Sequence, residues 1–133
     1  MGAGSRTAYR RGRTFEHRVR QALEDEGYYV CRSAGSRSPV DLIAIRSAAC
    51  HQVVNLFVQC KANGQLRPTD WNDLYDLATS YGAWPILAAR AARGTVAFTR
   101  LLDLKDGSRR RQPHEPIDVA TICTAPCAAI VSP

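Results

Sequence analysis

The chain has 133 residues, with 18 Lys plus Arg against 12 Asp plus Glu, a net charge of +6 with the histidines neutral. At 45% hydrophobic and 23% charged it has the composition of one ordinary globular domain, which excludes a disordered, collagenous or coiled-coil chain. No apolar run approaches the ~18 residues of a membrane span, no signal peptide is legible behind the arginines of the first 13 residues, and a cytoplasmic protein is expected.

Residues 1–9 are small, polar and basic without periodicity and read as a flexible basic arm, so order is expected from residue 10. Over residues 14–26 the apolar positions Phe15, Val19, Ala22 and Leu23 recur at helical spacing, with Thr14 able to cap and Gly27 placed to stop the helix. Residues 28–32 are strand formers, residues 33–39 are rich in Ser, Gly and Pro, and residues 40–45 form a second predicted strand. After a turn near residues 49–51, residues 53–61 are almost wholly apolar up to Gln59, which predicts a central strand covered on both faces. Asp70 opens a second predicted helix with Trp71, Leu74, Tyr75, Leu77 and Ala78 along one side, ended by Gly82. Residues 85–89 and 95–100 then read as two strands joined by a turn at Arg93 and Gly94.

The order helix, three strands, helix, two strands predicts an α/β domain over residues 10–104, a mixed sheet of about five strands flanked by helices. Residues 105–133 hold four prolines in the stretch that begins at 103, a basic run at 109–111 and a small apolar tail, and read as a partly ordered extension. The aromatics Trp71, Tyr75, Tyr81 and Trp84 are assigned to core or dimer packing. The five cysteines, at positions 31, 50, 60, 123 and 127, show no disulfide framework; Cys123 and Cys127, even with His114, lack a second ligand pair for zinc.

Sixteen of the basic residues are Arg and two, Lys61 and Lys105, are Lys. An ammonium is a compact charge of tunable pKa, whereas a guanidinium stays protonated, so Lys61 is marked for chemistry; Lys105, in a loop-like segment, reads as a solvated turn residue. Asp41 stands at the start of the second strand, and Gln59, Cys60 and Lys61 end the third. If the two strands pair antiparallel about residue 50, position 41 lies opposite 59, and Asp41, Gln59 and Lys61 project from one face. Charges among apolar neighbours such as Leu42, Ile43, Phe57 and Val58 need partners or a metal. Spacing alone leaves two readings open, a salt bridge between Asp41 and Lys61 or a site.

An acid at a strand start, followed 18 residues later by an acid or amide, one spacer and a lysine, resembles the PD-(D/E)xK nuclease superfamily, written here as Pro39-Val40-Asp41 and Gln59-Cys60-Lys61. Arg11-Gly12, Glu16 in the first helix, and the run from Gly27 through Arg32, Ser33, Ala34, Gly35 and Ser36 into Asp41 resemble the archaeal-type Holliday-junction resolvases, as does the segment from Tyr81 to Ala88. The likeness covers about residues 10–104 and implies a restriction-endonuclease-like fold and a magnesium-dependent endonuclease, with manganese able to substitute.

Position by position, the resemblance implies that Glu16 and Asp41 are metal-site acids and Lys61 the catalytic lysine. Gln59 would offer its amide oxygen and Cys60 its main-chain carbonyl to the metal. Arg32 would contact the phosphate, Ser33 and Ser36 would lie beside the scissile strand, Arg11 would touch the DNA backbone, and Arg13, His17 and Arg37 complete the DNA-facing set. The chain departs from the family in carrying His17 where an Arg usually follows the helical glutamate, and Gln59 where a Glu usually precedes the spacer and lysine; the QxK form is similar to that of Mrr-like restriction nucleases. Eight arginines against four acids in the first 37 residues suit a phosphate partner, and little suggests a base-reading module such as a recognition helix or zinc finger. The expected partners are a branched four-way DNA junction and a second copy of the chain, with no membrane and no nucleotide cofactor. A duplex-cutting restriction or repair nuclease, or a junction-binding protein whose site has decayed, are the alternatives.

Overall fold

Alternating burial along the third predicted strand decides the architecture. Val54, Leu56 and Val58 are buried on one side while Phe57 between them packs toward the other, so this strand must lie between two layers. The computed structural model describes residues 2–33, 38–48, 52–105 and 113–122, with residues 2–9 described by backbone only. Helix α1 (Gly2–Asp25) is followed by strands β1 (Tyr29–Arg32), β2 (Leu42–Ser47) and β3 (Val53–Cys60), helix α2 (Pro68–Ser80), and strands β4 (Trp84–Arg90), β5 (Val96–Leu101) and β6 (His114–Ile117). The six strands form one sheet in chain order, antiparallel except for the parallel β3 and β4 pair that α2 connects.

Each helix covers one face. Phe15, Val19 and Leu23 of α1 pack on Val30, Leu42, Ala44, Leu56, Val58, Ile86 and Phe98. Trp71 and Leu74 of α2 pack with Val40, Leu66, Leu87 and Leu101 on the other face. Leu23 is wholly buried, and truncating such a side chain to Ala costs about 2–5 kcal/mol. Gly27 and Gly82, at φ of 85° and 67°, take the left-handed turns that end the two helices.

Two helix starts are corrected, and the sheet carries one strand beyond the about five expected. Helix α1 begins at Gly2 and not near Thr14, so the segment expected as a loose arm continues the helix; the absence of an apolar stripe there hid it, because helical spacing is visible only where a face is buried. Helix α2 begins at Pro68, two residues before Asp70, with proline in its first turn. A sixth strand, β6, extends the sheet beyond β5, and Val119 and Ile122 behind it join the α1-side core. This tail is fastened by Tyr28, whose hydroxyl donates to the Val119 carbonyl at 2.8 Å, and by Arg46, which donates to the carbonyls of Glu26, Ala120 and Ile122 and lies 4.5 Å from the Tyr28 ring. The expected turn at residues 49–51, the basic run at 109–111 and Cys123 and Cys127 lie outside the described residues.

Candidate active site

Strand β2 pairs with β3 about the expected centre, Leu42 opposite Val58 and Ile43 opposite Phe57. The register slips by one at Asp41, whose N–H donates to the Val58 carbonyl at 2.8 Å, so Asp41 and Leu42 both face Val58 and Asp41 does not sit opposite Gln59 as expected. The slip has the form of a bulge, and it shows in the packing: Val40 belongs to the α2-side core and Leu42 to the α1-side core although they are two residues apart. Ser38 accepts the Val40 N–H on its hydroxyl at 3.1 Å, and the Ser33 N–H donates to the Asp41 carbonyl at 2.9 Å, which closes the strand entry.

The Asp41 carboxylate is thereby turned into the seam between β2 and β3, where its Oδ2 accepts the Cys60 N–H at 2.8 Å. Burial pushes its pKa up, the Cys60 N–H opposes this, Glu16 raises it further, and Lys61 and Arg32 lower it. Charges from α1, β1, the β2 entry and the end of β3 therefore meet at one seam. No ion pair within 4 Å joins Asp41 to Lys61 among the described residues, so the salt-bridge reading left open by the spacing is not what is found.

Lys61 sits on a stiff piece of chain. Its N–H donates to the Ala88 carbonyl at 2.9 Å, its carbonyl accepts the Gly64 N–H at 2.8 Å, and the Arg90 N–H reaches the Ala62 carbonyl at 3.0 Å. The ladder between β3 and β4 thus runs past Cys60 and fixes the backbone on which the ammonium is mounted. The Gln59 Oε1 is buried and accepts no hydrogen bond, a costly state for an acceptor. Burial drives the Cys60 thiol far above its ordinary pKa; the side chain packs against the α1-side core.

Glu16 lies in α1 at the rim of this seam. Its Oε1 accepts the Arg32 Nε–H at 2.6 Å, while Arg20, at i+4, pairs with Glu24. Arg13, Glu16, His17, Arg20, Arg32 and Leu42 line a cleft of about 180 Å³, which brings the expected Arg13, His17 and Arg32 together. Arg20 had no expected place in it; its signal is the spacing of four from Glu16 and seven from Arg13 on one helix flank. Ser33 is beside the cleft through Asp41, Arg11 lies on the other flank of α1, and Ser36 and Arg37 are outside the described residues.

Among the described residues no three His, Cys, Asp or Glu side chains gather into a metal-holding group. The expected set draws on only two such side chains, Asp41 and Glu16, and fills the remainder with the Gln59 amide oxygen and the Cys60 carbonyl. The unpartnered Gln59 oxygen and the half-buried, hydrogen-bonded Asp41 carboxylate are each of the kind a hard cation takes, one that prefers oxygen ligands and keeps several waters.

A family model described as archaeal Holliday junction resolvase (hjc) matches residues 7–123. The crossover junction endodeoxyribonuclease Hjc of Methanocaldococcus jannaschii is 35% identical over 89 residues, 64% of this chain and 62% of that protein. The chain therefore spans about three-fifths of the length of this curated relative. The 1.6 Å structure of Archaeoglobus fulgidus Hjc, a Holliday junction resolvase from an archaeal hyperthermophile, superposes with a TM-score of 0.56 at 22% identity, over 80% of this chain and 88% of that one. The fold is therefore shared with it.

Proposed function

The chain belongs to the archaeal Holliday junction resolvase family, and from that premise we propose that it is a divalent-metal-dependent endonuclease that resolves four-way DNA junctions by paired nicks. The observation that carries the reading is the Asp41 carboxylate, fixed by the Cys60 amide at 2.8 Å in the shared field of Glu16, Lys61 and Arg32; the Gln59 oxygen, two positions before Lys61, accepts no hydrogen bond.

Asp41, Gln59, the Cys60 carbonyl and Glu16 would hold magnesium, with manganese as a substitute; when bound, the ion supplies positive charge against the crowded phosphate oxygens and acidifies water at the site. Asp41 holds its position because the Cys60 N–H and the slipped register leave it one orientation. Lys61 stands on the rigid end of β3, orients the attacking water in line with the departing 3′ oxygen and offsets negative charge as it builds. Arg32 pairs with Glu16 in the free protein and would turn its guanidinium to a phosphate when DNA is bound, with Arg13, Arg20 and His17 lining the approach. Ser33 borders the scissile strand.

Two symmetric nicks need two sites, so the working unit is a homodimer. The surface suited to it is the part of the α2-side sheet face that α2 leaves open. There Tyr81 is 72% exposed with its ring 6.3 Å from that of Phe57, and Tyr29 (71% exposed) pairs with Ile45 on the neighbouring strand. No helix among the described residues is long and apolar enough to cross a membrane, and the reading places the protein on DNA in the cytoplasm.

Incubating the protein with a four-way junction and a matched linear duplex, with and without magnesium, tests the proposal. Paired magnesium-dependent nicks on the junction support it. Duplex cutting would favour a restriction or repair nuclease, and binding without cleavage a decayed site.

A further inference from the structure

Helix α1 rests on the sheet by a stripe formed by Phe15, Val19 and Leu23, and at 100° per residue its exposed surface falls into two flanks. Arg13, Glu16, His17 and Arg20 lie on one, over the candidate active site. Arg10, Arg11, Thr14 and Arg18 lie on the other, where with Arg90 at the end of β4 they line a separate cleft of about 280 Å³.

The second cleft differs from the first in its charge. The active-site flank carries Glu16 and pairs Arg32 with it. Among the described residues no acid lines the second cleft, and none of Arg10, Arg11, Arg18 or Arg90 has a carboxylate within 4 Å. All four are exposed. The Arg18 guanidinium lies over Gly94 in the turn after β4, 3.6 Å from where a Cβ would stand, an ordinary contact distance. Arg90 is braced toward the Phe15 ring, 5.9 Å from its centroid. Like charges gathered without a counter-ion repel one another, and the complementary ligand is a row of phosphates.

We propose that this second arginine cleft holds the sugar-phosphate backbone of a second arm of the branched DNA, while the first holds the arm being cut. The inference rests on the nuclease reading above and deepens it. A helix with its side chains is about 10–12 Å across, so α1 acts as a ridge with one backbone on either flank. Backbones that diverge at a branch point can occupy both flanks, whereas a straight duplex engaged at the active site leaves the second cleft empty. Selection for branched DNA then follows without any base being read.

The test is a triple variant, Arg11→Gln, Arg18→Gln and Arg90→Gln, compared with wild type and with the single Arg18→Gln. Dissociation constants are measured for a synthetic four-way junction and a linear duplex over a salt series, and melting curves check that the exposed substitutions leave the fold intact. The triple variant is expected to lose roughly tenfold or more of its junction affinity, and its salt slope to become shallower by about 0.9 for each phosphate that is no longer neutralised. Duplex affinity is expected to change several-fold less, and the single variant to fall between. Equal loss on both substrates, unchanged junction binding, or a wild type without preference for the junction would overturn the proposal. The outcome is separable from the nuclease reading: a wild type that prefers the junction and never cuts it defeats that reading alone, while a wild type that cuts and a triple variant of unchanged selectivity defeat the second cleft alone.

Discussion

The side chain of Asp41 and the main chain of Cys60 are joined across the β2 and β3 seam by a 2.8 Å hydrogen bond. This bond places an acid on the spacer of the Gln59-Cys60-Lys61 segment, so both halves of the motif are locked together before any ligand arrives. Because Asn presents the same acceptor oxygen without the charge, Asp41→Asn is expected to fold, to bind a four-way junction within a few-fold of wild type, and to lose cleavage by roughly 100-fold or more. Parallel gel-shift and nicking assays check it, and cleavage at the wild-type rate would remove Asp41 from the site.

Gln59 contributes an oxygen without a negative charge. Gln59→Glu is therefore expected to lower the magnesium concentration needed for half-maximal cleavage, because a charged oxygen binds a hard cation more tightly than an amide oxygen does. A magnesium titration in which wild type is activated as readily as the variant, or more readily, would contradict this.

The strand pairing that carries the candidate residues was legible in the sequence because the chain spaces them on two neighbouring strands. The turn centre near residue 50 set the register, and the residues between Leu42 and Val58 obey it. The slip at Asp41 was not legible, since a bulge depends on where the Ser33 and Val58 backbone groups find partners and not on the residue's own character. The partner of Glu16 was hidden for a similar reason: Arg20 is close in sequence, but Glu24 lies at its own i+4 position and takes it, leaving Glu16 to Arg32 from another element. Lys105 read as solvated, yet its ammonium donates to the Leu66 carbonyl at 3.0 Å, and Asn72 clamps its main chain from both sides. Such long-range fastenings, like strand β6, leave no periodic trace.

The tail behind β6 gives a pH-dependent handle. Burial raises the Tyr28 phenol above its ordinary 10.0, with the Arg46 guanidinium acting the other way. A folded-state pKa above the unfolded one means that the native form keeps its proton longer, so this contribution to stability is complete below pH ~10 and is lost as pH rises through the folded value. Tyr28→Phe is expected to cost about 0.5–1.5 kcal/mol at neutral pH through the lost bond to Val119, and to lose less stability than wild type between neutral and strongly alkaline pH. Denaturant melts at the two pH values check it; parallel curves would show that the phenol is not what titrates.

The open sheet face offers a test of assembly. Tyr81→Glu places a charge on the exposed ring position beside Phe57 and is expected to shift the protein from dimer to monomer in sedimentation experiments, with the melting temperature of each subunit little changed at that surface position. Junctions would then receive single, uncoupled nicks. A dimer of undiminished affinity would move the interface elsewhere.

The most direct measurement is cleavage of a magnesium-supplemented four-way junction by Lys61→Ala, with binding followed in the same samples. Lys61 is anchored through backbone bonds to Ala88 and Gly64, and among the described residues no ion pair within 4 Å involves its ammonium, so its truncation should spare the fold. Junction binding within a few-fold of wild type, with cleavage reduced by roughly 100-fold or more, is the expected result. Nicking at close to the wild-type rate would contradict the assignment of the Asp41, Gln59 and Lys61 seam as the place where the phosphodiester is broken.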